Sequence, residues 1–383
     1  MNVKKIREDF PILNNPKNKI IYFDNACMTL KPKQVIEKIT EYYTEYPACV
    51  GRSNHRLGKT ATEEYENART IIRKFINARE EKEIIFTRNT TESINIISKT
   101  FEYDTIVTTD KEHNSNHVPW LETGKKRIII NTEKDIEEQL KNIPKNSLVS
   151  IYHTSNIDGT TLNIKNIIRV VHEKNSHVLI DAAQSASHKK IDVKNLDIDF
   201  LAFSGHKILG PTGTGILYGK QELLRKLKKY NTGGDTVKET FYNKAEFEDI
   251  PYRFEAGLQD YAGFIGLGEA IKYLQKYIED IEEHQIKLNK IITEGLKDRV
   301  KIIGPENPEL RAGIFNFTSK INHHELSIML DNFANIMTRS GRHCVHSWYN
   351  EKNIEGSTRA SLYLYNTEEE AKIFVEKIKQ IIR

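Results

Sequence analysis

Five short polar clusters in this chain carry residue types that could do chemistry. They are Arg88-Asn89-Thr90-Thr91-Glu92, Glu112-His113, His153 to Asn156, Asp181-Ala182-Ala183-Gln184 and Ser204-Gly205-His206-Lys207. Each follows an apolar, β-rich run. A lysine supplies an amine that can condense with a carbonyl. An aspartate can face a protonated ring nitrogen, a histidine can lie flat over a ring, and threonines that open a helix offer donors to a phosphate. Lys207, Asp181, His113 and the pair Thr90-Thr91 supply one of each, which is the short list of demands that a pyridoxal-type cofactor makes. Taken singly, Lys207 reads as a solvated surface group, Asp181 as a helix cap and His113 as a satisfied structural histidine. The signal lies in their joint occurrence at strand ends.

Two other patterns carry less. Gly210-Pro211-Thr212-Gly213-Thr214-Gly215 resembles a phosphate loop, but Ile216 and Leu217 stand where Lys and Ser or Thr are required, so it reads as a tight turn. His113 and His117 have the spacing of one helical face, and His343, Cys344 and His346 bunch together, yet neither group supplies a tetrahedral set, and no metal is expected. The three cysteines, Cys27, Cys49 and Cys344, are too few and too scattered for a disulfide framework and read as free thiols. Cys27 and Cys49 read as small buried hydrophobes, although Cys27, directly after Asp24-Asn25-Ala26, could approach a substrate. Cys344 stands beside Arg342 and His343, two cationic neighbours that would favour thiolate.

The elements that position these clusters are legible from periodicity. Strands are predicted at Glu83–Thr87, Thr105–Thr108, Arg127–Asn131, Leu148–Tyr152, Val178–Ile180, Phe200–Phe203 and Gly215–Tyr218, with amphipathic helices over Ala61–Ile76 and Ile164–Lys174. This is an α/β, doubly wound layout with a mostly parallel sheet, in which ligands bind beyond the carboxyl ends of the strands. After Tyr261 the texture changes to a long helix (Phe264–Tyr277), a charged helical stretch and strand-like pieces near Gly313–Thr318 and Ala360–Tyr365. The expected division is a large cofactor-binding domain, 20–262, and a smaller α+β domain, 1–19 with 263–383. With 383 residues, 38% of them apolar, the chain can bury a sizeable core. A net charge of +4 from 57 basic and 53 acidic residues gives no reason to expect nucleic acid. The N-terminus lacks the apolar core of a signal sequence and no stretch reaches membrane-span length, so a cytoplasmic protein without a membrane partner is expected.

The residues carry an extended resemblance. YFDNA at Tyr22–Ala26, TTESIN at Thr90–Asn95, EHNSNHVPW at Glu112–Trp120, HTSNIDGT at His153–Thr160, IDAAQS at Ile180–Ser185, FSGHKILGPTGTGILY at Phe203–Tyr218, RFEAG at Arg253–Gly257 and RASLYLYNT at Arg359–Thr367 fall in one order along nearly the whole chain. The sequence resembles the SUF-type (group II) cysteine desulfurases and selenocysteine lyases, a branch of the class V aminotransferases with the PLP fold type I and its seven-stranded sheet. The resemblance implies Lys207 as the Schiff-base lysine, Asp181 as the pyridinium partner, Gln184 as the contact to the ring hydroxyl and His113 as the stacked imidazole. It also implies Thr91, Ser204 and His206, beside Thr90, as phosphate donors, and Asn156 and Arg359 as substrate-positioning residues. Cys344, in RSGRHC from Arg339, falls where group II enzymes place the persulfide cysteine.

The activity so implied is conversion of L-cysteine to L-alanine on pyridoxal 5'-phosphate, with sulfur carried on Cys344, in a homodimer that serves a sulfur-acceptor protein. Another class V reaction, such as selenocysteine elimination or transamination, and a non-catalytic metal-binding or assembly scaffold are the alternatives. Three departures from the family pattern stand out. Leu258 follows RFEAG where a Thr is usual, Arg342 replaces a histidine next to Cys344, and Gly51 takes the first histidine position of HRGxH.

Overall fold

The computed structural model describes residues 1–17 and 19–382. Its centre is a seven-stranded sheet in the order Ile84–Thr87, Gly215–Gly219, Phe200–Ser204, His177–Asp181, Ser147–Tyr152, Thr105–Thr109 and Lys126–Ile130. Only Gly215–Gly219 runs against the others, pairing antiparallel with both of its neighbours. The remaining neighbours pair in parallel. All seven expected strands are present, and their ends differ by at most one residue from the expectation.

Alternation along each strand divides its side chains between two cores. Ile84, Phe86, Val107, Val149, Ile151, Val178, Ile180, Leu201 and Phe203 face one layer. That layer is built from the helices Lys33–Glu45, Arg56–Phe75, Ile164–Glu173 and Tyr261–Gln275. Ile85, Ile106, Leu148, Leu179, Phe200, Ala202 and Leu217 face the other, where the helix Thr90–Thr100 packs through Ile94, Ile96 and Ile97. The helix expected from Ala61 begins at Arg56, because the His55 ring accepts the Gly58 N–H at 3.2 Å and caps it.

A second sheet is antiparallel throughout, in the order Lys301–Ile303, Ile314–Thr318, Ser357–Ser361 and Arg339–Gly341. The helices Ile278–Leu296, His323–Ala334 and Glu368–Ile381 cover it through Leu288, Ile292, Leu326, Leu330, Phe374 and Ile378. The strand expected over Ala360–Tyr365 lies earlier, because the chain turns at Tyr363, whose N–H donates to Asn366 Oδ1 at 2.7 Å. The helix Tyr261–Gln275 places Ala262, Phe264, Ile265, Leu267, Ala270, Ile271 and Leu274 in the core of the first of these layers, which Ile278 and Ile281 of the next helix also join. Ile6 and Phe10 join that same core, Phe10 against Tyr273 and Tyr365.

Candidate active site

The strands Ile84–Thr87, Thr105–Thr109, Ser147–Tyr152, His177–Asp181 and Phe200–Ser204 end on one side of the sheet, and the loops that follow them meet the second sheet there. Between them lies a cavity of about 240 Å³. It is lined by Thr90, Thr91, His113, Asn156, Asp181, Gln184, Ser204, His206, Lys207, Cys344 and Arg359, so every site residue expected from sequence borders the same space.

The chain reaches this geometry through local rules. Thr90 opens its helix, capped by Asn89, whose side chain accepts the Glu92 N–H at 3.0 Å. The Thr90 N–H donates to Ser204 Oγ at 2.9 Å and the two hydroxyls share a hydrogen bond of 2.6 Å, which joins two strand ends. Thr91 Oγ1 and Ser115 Oγ are 2.6 Å apart. Gly215 makes this closeness possible, since a Cβ there would lie 2.5 Å from Asn89 Cα.

Asp181 is buried at the end of its strand and accepts the Ala183 N–H at 2.9 Å. Burial holds its carboxyl above the usual range, opposed by that hydrogen bond and by the Lys207 charge. Burial likewise pulls the Lys207 amine down, while Asp181 pulls it back up. His113 accepts the Ser115 N–H on Nδ1 at 3.0 Å, and burial with the nearby Lys207 and Arg359 charges lowers it to about 3, so the ring is neutral. His206 is lowered to about 4, chiefly by burial, and is neutral as well. Gln184 donates to the Ala26 carbonyl at 2.8 Å.

Arg359 is buried. Its Nη1 donates to the Asn156 carbonyl at 2.8 Å and its Nη2 lies 3.5 Å from Asp24, but Nε has no partner among the described residues. Asn156 Nδ2 donates to the His343 carbonyl at 2.8 Å, and the Asn114 N–H donates to the Cys344 carbonyl at 2.7 Å. These bonds clamp the cysteine turn. His343 and Cys344 both take left-handed backbone, at φ 48° and 59°, a conformation that side chains other than glycine rarely adopt and that is held by its surroundings.

That turn overturns two expectations. Arg342 does not serve Cys344, because its Nε donates to the Glu355 carbonyl at 3.0 Å and its Nη1 to Asn350 Oδ1 at 2.8 Å. His343 is buried against Ser357 Oγ at 2.9 Å and held well below its usual value by burial and by Arg359, so it brings no charge. Nor do His113 and His117 share a helix face, since each stands just before a short helix.

Sequence reasoning missed several residues. Arg339, in register opposite Arg359, lines the cavity and donates from Nη1 to Cys27 Sγ at 3.2 Å. Asp24 lies between the two guanidinium groups, 3.8 Å from Arg339 and 3.5 Å from Arg359. Glu112, pushed up to about 8 chiefly by burial, accepts from Thr109, Asn116 and the Tyr152 N–H and braces two strand ends. Each carried a signal without a role: Glu112 as the neighbour of His113, Asp24 inside the YFDNA run and Arg339 at the start of RSGRHC.

Comparison with known proteins agrees with this geometry. The aminotransferase class-V family matches residues 21–374. A probable cysteine desulfurase of Halalkalibacterium halodurans is 38% identical over 97% of this chain and 95% of its own. One of Pyrococcus abyssi is 38% identical over 99% and 97%. A cysteine desulfurase structure from Thermococcus onnurineus superposes with a TM-score of 0.94 at 35% identity, covering 99% of this chain and 98% of that one. One from Escherichia coli gives 0.89 at 30% identity, with the same coverage. With a match that runs through both sheets and the whole cavity, the chain belongs to the class V aminotransferase family, among its cysteine desulfurases.

Proposed function

We propose that this cysteine desulfurase takes sulfur from L-cysteine, leaving L-alanine, and carries it as a persulfide on Cys344, with Lys207 holding pyridoxal 5'-phosphate. The observation that carries the reading is the convergence of Lys207, Asp181, Arg359 and Cys344 on one cavity. The residues present fit the cofactor. A buried carboxylate, a neutral flat imidazole, and hydroxyl and amide donors at a helix start border the same space, and Arg359 on the same wall has a buried Nε donor without a partner among the described residues.

When bound, pyridoxal phosphate supplies an electron sink for the pair released at the substrate α-carbon. Thr91, Ser204 and His206 would hold its phosphate, Asp181 its ring nitrogen and Gln184 its ring hydroxyl. Lys207 then takes the α-proton, a task that its burial favours by stabilising the uncharged amine. Arg359 fixes the substrate carboxylate, a geometry suited to the guanidinium fork. From its clamped turn, Cys344 would attack the substrate sulfur, an S–S bond forming as the bond from that sulfur to the substrate β-carbon breaks, with the electron pair leaving on the carbon skeleton that becomes alanine.

Only Arg342 and His343 separate Cys344 from the strand Arg339–Gly341, which supports the group II assignment. We also read the chain as a cytoplasmic homodimer that hands sulfur to an acceptor protein. Three free thiols and the exposed apolar Tyr43, Tyr242 and Leu258 support that reading, and among the described residues no helix is long and apolar enough to cross a membrane.

The test has two arms. Borohydride reduction of the holoenzyme should fix the cofactor on the peptide containing Lys207, and Lys207→Ala should abolish that label. Cys344→Ser should keep the cofactor but lose release of alanine and sulfide from cysteine and reductant. Desulfuration at the wild-type rate by the serine variant would reject Cys344 as the carrier.

A further inference from the structure

We propose that Cys27 is a second sulfur-receiving thiol of this site, taking the terminal sulfur from Cys344 before it leaves the protein. The inference rests on the desulfurase reading and adds a residue to it.

Cys27 and Cys344 border the same cavity, and both lie close enough to Lys207 for negative charge on either sulfur to favour the charged amine. Cys49 does not line it; its Sγ lies 4.0 Å from the Tyr261 hydroxyl. The Cys27 turn is fixed rather than loose. Its N–H donates to the Asp24 carbonyl at 3.2 Å, the Ala26 N–H donates to Ser361 Oγ at 2.9 Å, and Asn25 Nδ2 donates to the Ser361 carbonyl at 2.6 Å. Those bonds tie the turn to the strand that carries Arg359.

The Cys27 sulfur is itself addressed. Arg339 donates to it at 3.2 Å, whereas a cysteine that merely fills space is surrounded by apolar groups and needs no guanidinium. Arg339 and Arg359 are register partners on neighbouring strands, an arrangement that costs free energy unless a counter-charge stands between them. Asp24 provides it, and holds both cations at the wall where Cys27 projects. Arg359, 3% exposed, has an unpartnered Nε and lines the same cavity, so the residue read above as the substrate's carboxylate partner borders the space that Cys27 also borders.

The chemistry is thiol–persulfide exchange. The Cys27 sulfur attacks the terminal sulfur of the Cys344 persulfide. An S–S bond forms on Cys27 as the one on Cys344 breaks, and the proton that Cys27 gives up ends on the departing Cys344 sulfur. One S–S bond replaces another, so no oxidant or reductant is consumed. Cys344 is then free to take a second sulfur while the first waits on Cys27.

The experiment uses wild-type holoenzyme and cysteine labelled with heavy sulfur, without reductant, quenched by alkylation at successive times and read by peptide mass spectrometry. Label should enter the Cys344 peptide first and the Cys27 peptide after it, with the Cys49 peptide unlabelled as an internal control. Cys27→Ala should halve the sulfur carried per chain and leave it all on Cys344. Cys344→Ser should leave Cys27 unlabelled. A Cys27 peptide that stays free of label while Cys344 loads overturns the proposal alone, as does label on Cys27 in the serine variant, or a Cys27–Cys344 disulfide formed with release of sulfide. Failure of Cys344 itself to load in wild type overturns the desulfurase reading and this one together.

Discussion

Arg359 illustrates why the site depends on residue type and not merely on charge. Its three nitrogens differ in surroundings: Nη1 holds the Asn156 carbonyl, Nη2 faces Asp24, and Nε has no partner among the described residues. A lysine at this position offers one charge and no fork. Arg359→Lys should therefore weaken cysteine binding by about 1–3 kcal/mol, seen as a raised KM, while cofactor content is unchanged. Wild-type KM in that variant would remove Arg359 from the substrate site. At this scale the sequence was most readable where chemistry prescribes the side chain. Lys207, Asp181, His113 and the Thr90-Thr91 pair each have a type and a strand-end position that a pyridoxal cofactor demands. That Arg339, Asp24 and Cys27 meet was opaque, although Cys27 was read as within reach of a substrate, because the meeting depends on the register of Arg339 opposite Arg359, which no spacing along the chain reveals. Arg342 misled for a related reason. It neighbours Cys344 in sequence, but the left-handed turn sends its guanidinium to Asn350 and Glu355.

Among the elements, the strands were legible because both faces of the sheet are buried, which leaves short apolar runs bounded by polar clusters. The strand at Ser357–Ser361 was harder, because apolar Leu362 to Tyr365 continue past its end into a turn, and those side chains join cores without belonging to the ladder. How elements approach one another was not legible at all, and Gly215 shows the consequence. It lets the start of the Thr90–Thr100 helix sit against the antiparallel strand, the contact that brings Thr90 onto Ser204. In Gly215→Ala the new Cβ would meet the Asn89 backbone, which has no rotamer by which to move aside. The helix start must shift away from Ser204. The variant should lose about 1–3 kcal/mol of stability by denaturant titration, and should bind pyridoxal phosphate more weakly in an equilibrium titration of the apoprotein. Unchanged cofactor affinity would show that the Thr90–Ser204 junction does not set the phosphate site.

For the whole molecule, the open side of the large sheet is closed by a device that the RFEAG run conceals. The strand Ile84–Thr87 is at the sheet's edge and pairs on one side only. Its outward Phe86 N–H donates to Glu255 Oε1 at 2.8 Å, and its outward Ile84 carbonyl accepts from Arg69 Nη1 at 2.8 Å. Arg69 and Glu255 are themselves paired at 2.8 and 3.0 Å through both guanidinium ends, and the guanidinium lies 4.0 Å from the centre of the Phe86 ring. Both residues are almost fully buried; Arg69 is also paired through Nε with Glu66 at 2.9 Å, and each of the two satisfies one backbone group of an edge that would otherwise be exposed or orphaned. A buried pair of this kind contributes little net stability compared with apolar packing, but removing one partner strands the other. Glu255→Ala should cost about 1–3 kcal/mol by denaturant titration, since it leaves the Phe86 N–H without an acceptor and the buried guanidinium with Glu66 Oε2, at 2.9 Å, as its remaining carboxylate. Glu255→Gln keeps an acceptor for that N–H and should cost less. The double variant Arg69→Met with Glu255→Leu removes both charges and should be far more stable than the sum of the two single losses implies, a coupling that a double-mutant cycle reads directly. Additive losses across that cycle would mean that the two residues act independently, and that the edge strand is held by its pairing with Gly215–Gly219 alone.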